Sequence, residues 1–172
     1  MQQNARWARE QGADFLRVFT DTTDWNAIRV ADGSVQDRRT DPRWPGFIDH
    51  LRTCRDLCAD AGLRVVWTLF GGNQLSPEEQ WRGLENMLVV ADERPASVMA
   101  FEVSNENQGF KDVDGASGMR AMAAVIARRG YPVTLTSAAH GGDGLYAGSA
   151  APFANVHFDR KDGERGWRWV RQ

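Results

Sequence analysis

The sequence lacks the features that direct a protein into a membrane or onto nucleic acid. No apolar stretch approaches the roughly 20 residues that a membrane-spanning helix needs, and residues 1–7 contain no hydrophobic signal-peptide core. The formal net charge is only −2, so there is no excess of positive charge to hold phosphates or anionic lipids. We therefore expect neither a nucleic-acid nor a membrane partner. As written, the chain would stay in the cytoplasm, and it would be secreted only if a signal peptide preceded Met1.

Cysteine is scarce, and the two residues present do not form a metal site by their spacing. Cys54 and Cys58 are four residues apart in a helical pattern, and His50 lies one turn before them. Eight residues of helix rise about 12 Å, so the three side chains cannot converge on one ion. We expect buried, reduced thiols, and we predict no metal and no cofactor.

Tyrosine is also scarce, with two residues, whereas tryptophan is abundant, with seven. Indole rings fill protein cores, and they also pack against the apolar faces of sugar rings. The imbalance therefore favours a carbohydrate ligand. Trp25 and Trp44 lie near predicted loops on the side where the unusual polar residues collect, and both are candidates for stacking on a sugar.

Short apolar runs alternate with stretches of helical periodicity along the chain. Alternating strands and helices at this spacing indicate parallel strands joined by right-handed crossovers. Asp41 and Pro42 have the residue types of a helix start, and Ser76 and Ser117 have those of helix caps. Strands are predicted at residues 12–19, 63–70, 98–104, 131–137 and 155–159, and helices at residues 3–11, 42–61, 77–92 and 118–129.

No glycine-rich phosphate loop follows the first predicted strand. Residues 20–24 instead include Asp21 and Asp24, which would repel a phosphate, so a nucleotide-binding doubly wound sheet is disfavoured. The unusual polar residues follow the ends of several strands, as in a (β/α)₈ barrel. The unusual polar residues at the strand ends are Asp21, Asn73, Asn105, Glu106, His140, Asp143, His157 and Asp159. We predict a single α/β domain of the TIM-barrel type, incomplete, with about five of the eight βα units.

The pair Asn105-Glu106 closes the third predicted strand. Folding rarely requires a carboxylate at the tip of a buried strand, because removing the ion from water is costly. A catalyst can use one, since partial burial raises a carboxyl pKa toward the value that a general acid needs. The alternative is a turn that ends the strand in water.

Three segments together resemble the clan A glycoside hydrolases, the cellulase-like (β/α)₈ retaining glycosidases. Residues 12–19 are similar to the family's second strand, residues 63–72 to its third, and residues 101–106 to its fourth, which ends in Asn-Glu. Asn107 stands where the family usually has proline. The resemblance implies cleavage of O-glycosidic bonds in a poly- or oligosaccharide by a retaining, two-carboxylate mechanism.

The resemblance also implies roles for individual residues. Glu106 would be the general acid/base, Asn105 would hydrogen-bond the sugar 2-hydroxyl, and Arg17 would be the active-site arginine. His157 falls where the sixth strand often contacts substrate. The family's nucleophile lies on the seventh strand, beyond Gln172, so we expect a fragment of a longer reading frame, inactive by itself.

The position of Arg17 within a strand supports an inference that adds to the resemblance. An arginine inside an apolar strand requires an anionic partner unless it reaches water at an edge. Strand alternation places Glu102, Ser104 and Glu106 on one face. The resemblance implies that Arg17 points into the barrel, and with that orientation we expect Glu102 to pair with Arg17 beneath Glu106.

Two other functions fit the sequence. One is a non-catalytic, carbohydrate-binding degenerate barrel, and the other is a metal-dependent hydrolase that uses His140, His157 and Asp159. Whatever the function, an open, partial sheet would expose its edges to water. We therefore expect the chain to self-associate.

Overall fold

A computed structural model of the protein describes residues 2–21, 39–71, 75–105, 115–137 and 143–156. Helices and strands alternate through these ranges, as the sequence predicts. The helices are α1 (Gln2–Glu10), α2 (Phe47–Asp60), α3 (Pro77–Glu93), α4 (Gly115–Arg128) and the short α5 (Asp143–Tyr146), with a 3₁₀ turn at Pro95–Ser97. The strands are β1 (Phe15–Phe19), β2 (Arg64–Phe70), β3 (Val98–Ser104), β4 (Val133–Thr134), β5 (Thr136–Ser137) and β6 (Asn155–Val156).

Four of the strands form one sheet in the order β1-β2-β3-β4, and every pairing is parallel. The register aligns Phe19 with Thr68, Thr68 with Glu102, and Glu102 with Thr134. A second parallel pair joins β5 to β6. The protein is therefore an α/β fold with an all-parallel sheet, which is compatible with a partial set of βα repeats. Closure into a barrel remains a prediction.

The hydrophobic core lies between the sheet and the helices. Alternate residues of β2 and β3 are fully buried there, among them Trp67 and Phe101, and α2, α3 and α4 contribute their apolar faces. Trp67 is therefore a core residue. Cys54 and Cys58 are buried and free, and burial raises the pKa of Cys54 to about 11. The prediction of core thiols is confirmed.

Two helix ends follow the local signals in the sequence. Gly62, with φ of 75°, ends α2 in the left-handed conformation that glycine favours. The N–H of Leu63 bonds to the carbonyl of Cys58 across this turn. Ser76 and Glu79 cap each other's backbone at the start of α3, the predicted capping box.

The predicted start of α2 is wrong, because the helix begins at Phe47 and not at Pro42. The Asp41 carboxylate accepts a hydrogen bond from the Arg43 N–H, and the Asp41 carbonyl accepts one from Trp44, so these residues form a turn. Pro45 then disfavours a helical conformation at the residue before it and cannot donate a backbone hydrogen bond.

Two further predictions need correction. Helix α4 starts at Gly115, so Ser117 lies exposed in its first turn and is not its cap. Gly115 and Ala116 are already helical, so Ser117 stands inside the helix, where its hydroxyl cannot serve as the N-cap. The predicted strand at residues 131–137 is divided, since β4 pairs with β3 whereas β5 pairs with β6. The break falls at Leu135, whose carbonyl accepts a hydrogen bond from the Thr134 hydroxyl.

A polar layer at the carboxyl edge of the sheet

The carboxyl ends of β1, β2 and β3 meet at one edge of the sheet and are joined by backbone hydrogen bonds. Thr20 donates to Thr68 at 2.9 Å, Gly71 donates to Asp21 at 2.9 Å, and Asn105 donates to Phe70 at 2.8 Å. Gly71 has no room for a side chain, because a Cβ atom there would lie 2.8 Å from the Asp21 carbonyl oxygen. The three strand ends therefore form one connected edge.

Arg17 and Glu102 form an ion pair beneath this edge. Arg17 Nε donates to Glu102 Oε2 at 2.6 Å, and Arg17 Nη2 lies 2.5 Å from the same oxygen. The Glu102 side chain is 0% exposed and that of Arg17 is 30% exposed. The predicted pairing is confirmed, and it explains how an arginine is tolerated within an apolar strand.

Thr68 and Asn155 complete the surroundings of the Glu102 carboxylate. The Thr68 hydroxyl accepts from Arg17 Nε at 2.9 Å and donates to Glu102 Oε2 at 2.5 Å. The Asn155 amide donates to the other oxygen, Oε1. The Tyr146 hydroxyl donates to the Asn155 carbonyl at 3.0 Å and accepts from its N–H at 3.1 Å, and so holds β6 in place.

Asn105 is the last described residue before Glu106, and its side chain is oriented by Arg17. Arg17 Nη2 donates to Asn105 Oδ1 at 2.9 Å, and the Asn105 residue is buried. Because the amide oxygen faces Arg17, the amide N–H groups point away from it. The guanidinium also lies over the Phe19 ring, with Cζ 4.5 Å from the ring centroid. We refer to Arg17, Thr68, Glu102, Asn105 and Asn155 as the polar layer.

The structure thus brings together two of the predicted site residues, Arg17 and Asn105. Glu106, Trp25 and His157 lie outside the described residues, as do His140 and Asp159. Thr68 and Asn155 were not predicted as site residues. The alternation of β2 and its register with β3 would have identified Thr68 as the neighbour of Glu102. No local signal marks Asn155, because its contact depends on how β6 packs.

A second polar feature lies in the turn that precedes α2. Pro42 and the Phe70 ring both pack against Gly83 of α3, so this turn lies beside the end of β2. A surface cavity of about 340 Å³ is lined by Asp41, Arg43, Trp44 and Pro45. The Asp41 carboxylate raises the pKa of Arg43, and Glu79 and Asp21 add smaller effects of the same sign. We refer to this feature as the 41–45 cavity.

Within the described ranges, no group of three or more histidine, cysteine, aspartate or glutamate side chains is arranged to hold a metal ion. In the same part of the chain, no helix has both the length and the apolar composition required to cross a bilayer. No protein-family model matches the chain, and a search of curated proteins finds no match either.

Proposed function

We propose that the protein hydrolyses O-glycosidic bonds of an oligo- or polysaccharide by a retaining, two-carboxylate mechanism, with Glu106 as general acid/base. The observation that carries the proposal is the hydrogen bond from Arg17 to the Asn105 side chain, supported from below by Glu102. This arrangement fixes the residue that directly precedes Glu106, at the sheet edge where parallel βα folds collect catalytic groups.

The energetics of the polar layer support a positioning function. A buried ion pair is weak evidence for stability, because apolar side chains of similar size often stabilise a fold equally well. An arginine with donors to both Glu102 and Asn105 does something that an apolar residue cannot do, since it sets the orientation of an amide. Asn105 then presents its N–H groups as donors, which suits a sugar hydroxyl as acceptor.

The mechanism assigns distinct tasks to these groups. In a retaining hydrolase the acid protonates the glycosidic oxygen as a second carboxylate, about 5–5.5 Å from the first, attacks the anomeric carbon. Water then releases the sugar, and the first residue acts as base and recovers its proton. In the proposal Glu106 is that acid/base, Asn105 binds the 2-hydroxyl, and Arg17 positions Asn105. By the family resemblance, the nucleophile would lie at the end of the seventh strand of the barrel.

The test compares the hydrolytic activity of Glu106→Gln with that of the wild-type protein. We expect the variant to lose about 10²- to 10⁴-fold in the rate of hydrolysis of unactivated oligosaccharides, because the leaving oxygen is no longer protonated. Aryl glycosides with good leaving groups need no acid, so their first, glycosylation step should be much less affected. Glu85→Gln, on the exposed side of α3, is the matched control.

Full activity of Glu106→Gln on unactivated substrates would contradict the assignment. A wild-type protein that binds saccharides tightly and hydrolyses none would favour the non-catalytic, carbohydrate-binding alternative. Activity that is lost with a chelator and restored by a divalent metal would favour the metal-dependent alternative.

A further inference from the structure

We propose that the 41–45 cavity binds one neutral sugar unit of the saccharide, stacked on Trp44 and hydrogen-bonded by Arg43. The identification of the ligand as a sugar rests on the proposed function. The cavity lies beside the end of β2 and is separate from the polar layer, so it would hold a unit of the same saccharide at some distance from the bond that is cleaved.

The size and the aromatic wall of the cavity fit a single sugar ring. Its volume of about 340 Å³ is at the lower end of the range for small-molecule sites. Trp44 is half-buried and packs against the hydrophobic core. Its indole lies over Gly46, where an added Cβ atom would be 2.5 Å from Trp44 Cη2. An indole that is fixed in this way loses little entropy when a sugar ring stacks on it.

The polar part of the cavity is equally rigid. Arg43 Nε donates to Asp41 Oδ1 at 2.8 Å, and Arg43 Nη2 donates to Asp41 Oδ2 at 2.9 Å. The Arg43 backbone N–H donates to Asp41 Oδ1 at 2.9 Å. Within the described residues the third guanidinium nitrogen, Nη1, makes no hydrogen bond. Its two N–H groups are therefore available to hydroxyl oxygens, beside a carboxylate that can accept from hydroxyl groups.

The charge of this wall selects between classes of sugar. Asp41 pairs with Arg43 through a two-pronged ion pair, and the carboxylates of Glu79 and Asp21 also act on Arg43, so the cavity offers hydrogen bonds without an excess of positive charge. A uronate would have to approach the Asp41 carboxylate or displace it from Arg43, and the displacement would break three hydrogen bonds. A neutral sugar meets neither cost. The cavity therefore favours neutral hexose or pentose units over uronates.

Binding of defined saccharides to the 172-residue chain tests the proposal. We would titrate the chain with cello-, manno- and xylo-hexaose as neutral probes and with hexagalacturonate as the charged probe, using isothermal titration calorimetry. We expect Trp44→Ala to weaken binding of the preferred neutral hexaose about tenfold. Trp7→Ala is the matched control, because Trp7 is 64% exposed on α1, and we expect it to leave the affinity unchanged.

Asp41→Asn provides an independent readout of the charge argument. The variant keeps the shape of the side chain and removes the negative charge, so the affinity for hexagalacturonate should rise relative to that for the neutral hexaose. Circular dichroism and thermal melting of each variant establish that the fold is intact.

Three outcomes would overturn the proposal: wild type that binds no neutral hexaose, unchanged binding by folded Trp44→Ala, or stronger binding of the uronate by wild type. Failure of the proposed function is distinguishable from these outcomes. If Glu106→Gln retains full hydrolytic activity while Trp44→Ala weakens neutral saccharide binding, the cavity stands as a sugar site and only the acid/base assignment falls.

Discussion

At the scale of single residues, the main feature is the Glu102 carboxylate, which is fully buried and accepts hydrogen bonds from several side chains. Glu102 Oε2 accepts from Arg17 and from Thr68, and Oε1 accepts from Asn155. Removing both charges of such a pair is often tolerated, whereas removing one leaves the other without compensation. Removing both Arg17 and Glu102 should therefore cost less stability than the sum of the two single removals. A double-mutant cycle measures this coupling.

We expect Arg17→Met to lower the free energy of unfolding by about 3 kcal/mol, because the buried Glu102 carboxylate loses its cation. Urea denaturation followed by circular dichroism measures this loss. The double variant Arg17→Met/Glu102→Leu should recover part of it. Arg82→Ala is the control, since Arg82 pairs with Glu78 in an exposed i, i+4 bridge, and its effect should stay below about 0.5 kcal/mol. This account would be contradicted if Arg17→Met lowered the free energy of unfolding as little as Arg82→Ala does.

At the scale of helices and strands, an ion-pair cluster joins the middle of α2 to the end of α3. Arg52 Nε donates to both oxygens of Glu93 at 3.0 Å. Arg55, which is largely buried, donates to the Val90 carbonyl at 2.8 Å and to Glu93 at 2.8 Å. The carboxylate therefore ties α3 to two successive turns of α2. A third of the Glu93 side chain remains accessible to solvent, so salt should weaken the cluster.

The cluster predicts how stability depends on pH. Hydrogen bonds from Arg52 and then Arg55 lower the pKa of Glu93 to about 2, below its ordinary value of 4.5. Its contribution to stability is therefore present above pH 4.5 and is lost as the pH falls toward 2. We expect Glu93→Gln to flatten this part of the curve of unfolding free energy against pH. Glu85→Gln should leave the curve as steep as in wild type, and an unchanged curve in Glu93→Gln would refute the argument.

The same scale shows how far the sequence predicts the structure. Helix ends that depend only on nearby residues, such as those at Gly62 and at the Ser76 capping box, can be predicted from the local sequence. The pairing of Arg17 with Glu102 is predicted from strand alternation together with the resemblance, which implies that Arg17 points into the barrel. The start of α2 was misplaced because the turn at Asp41 and the effect of Pro45 compete with the capping signal. The contact from Asn155 requires the packing of β6, which no local pattern encodes.

At the scale of the whole molecule, strand β1 lies at the edge of the described sheet and pairs only with β2 there. Phe15, on this strand, is 45% exposed. An edge strand that carries an exposed aromatic residue is a surface on which a second chain can add a strand. Self-association through this edge therefore stays our prediction for the isolated chain.

Sedimentation velocity over a range of protein concentrations tests the prediction. We expect the wild-type sedimentation coefficient to rise with concentration, and Phe15→Lys to reduce this rise because a charge on the edge strand disfavours pairing. Val89→Lys is the control, since Val89 is exposed on α3 and away from the sheet edge. A wild-type chain that stays monomeric at every concentration would rule out association through β1.

The backbone hydrogen bonds that join Asp21, Gly71 and Asn105 to the neighbouring strands have a consequence for engineering. These bonds hold the ends of β1, β2 and β3 from the side, each through a neighbouring strand. We therefore expect loops of different length, grafted after these residues, to disturb the strands little. In the proposed glycosidase, such an exchange would alter the substrate range while the scaffold beneath stays the same.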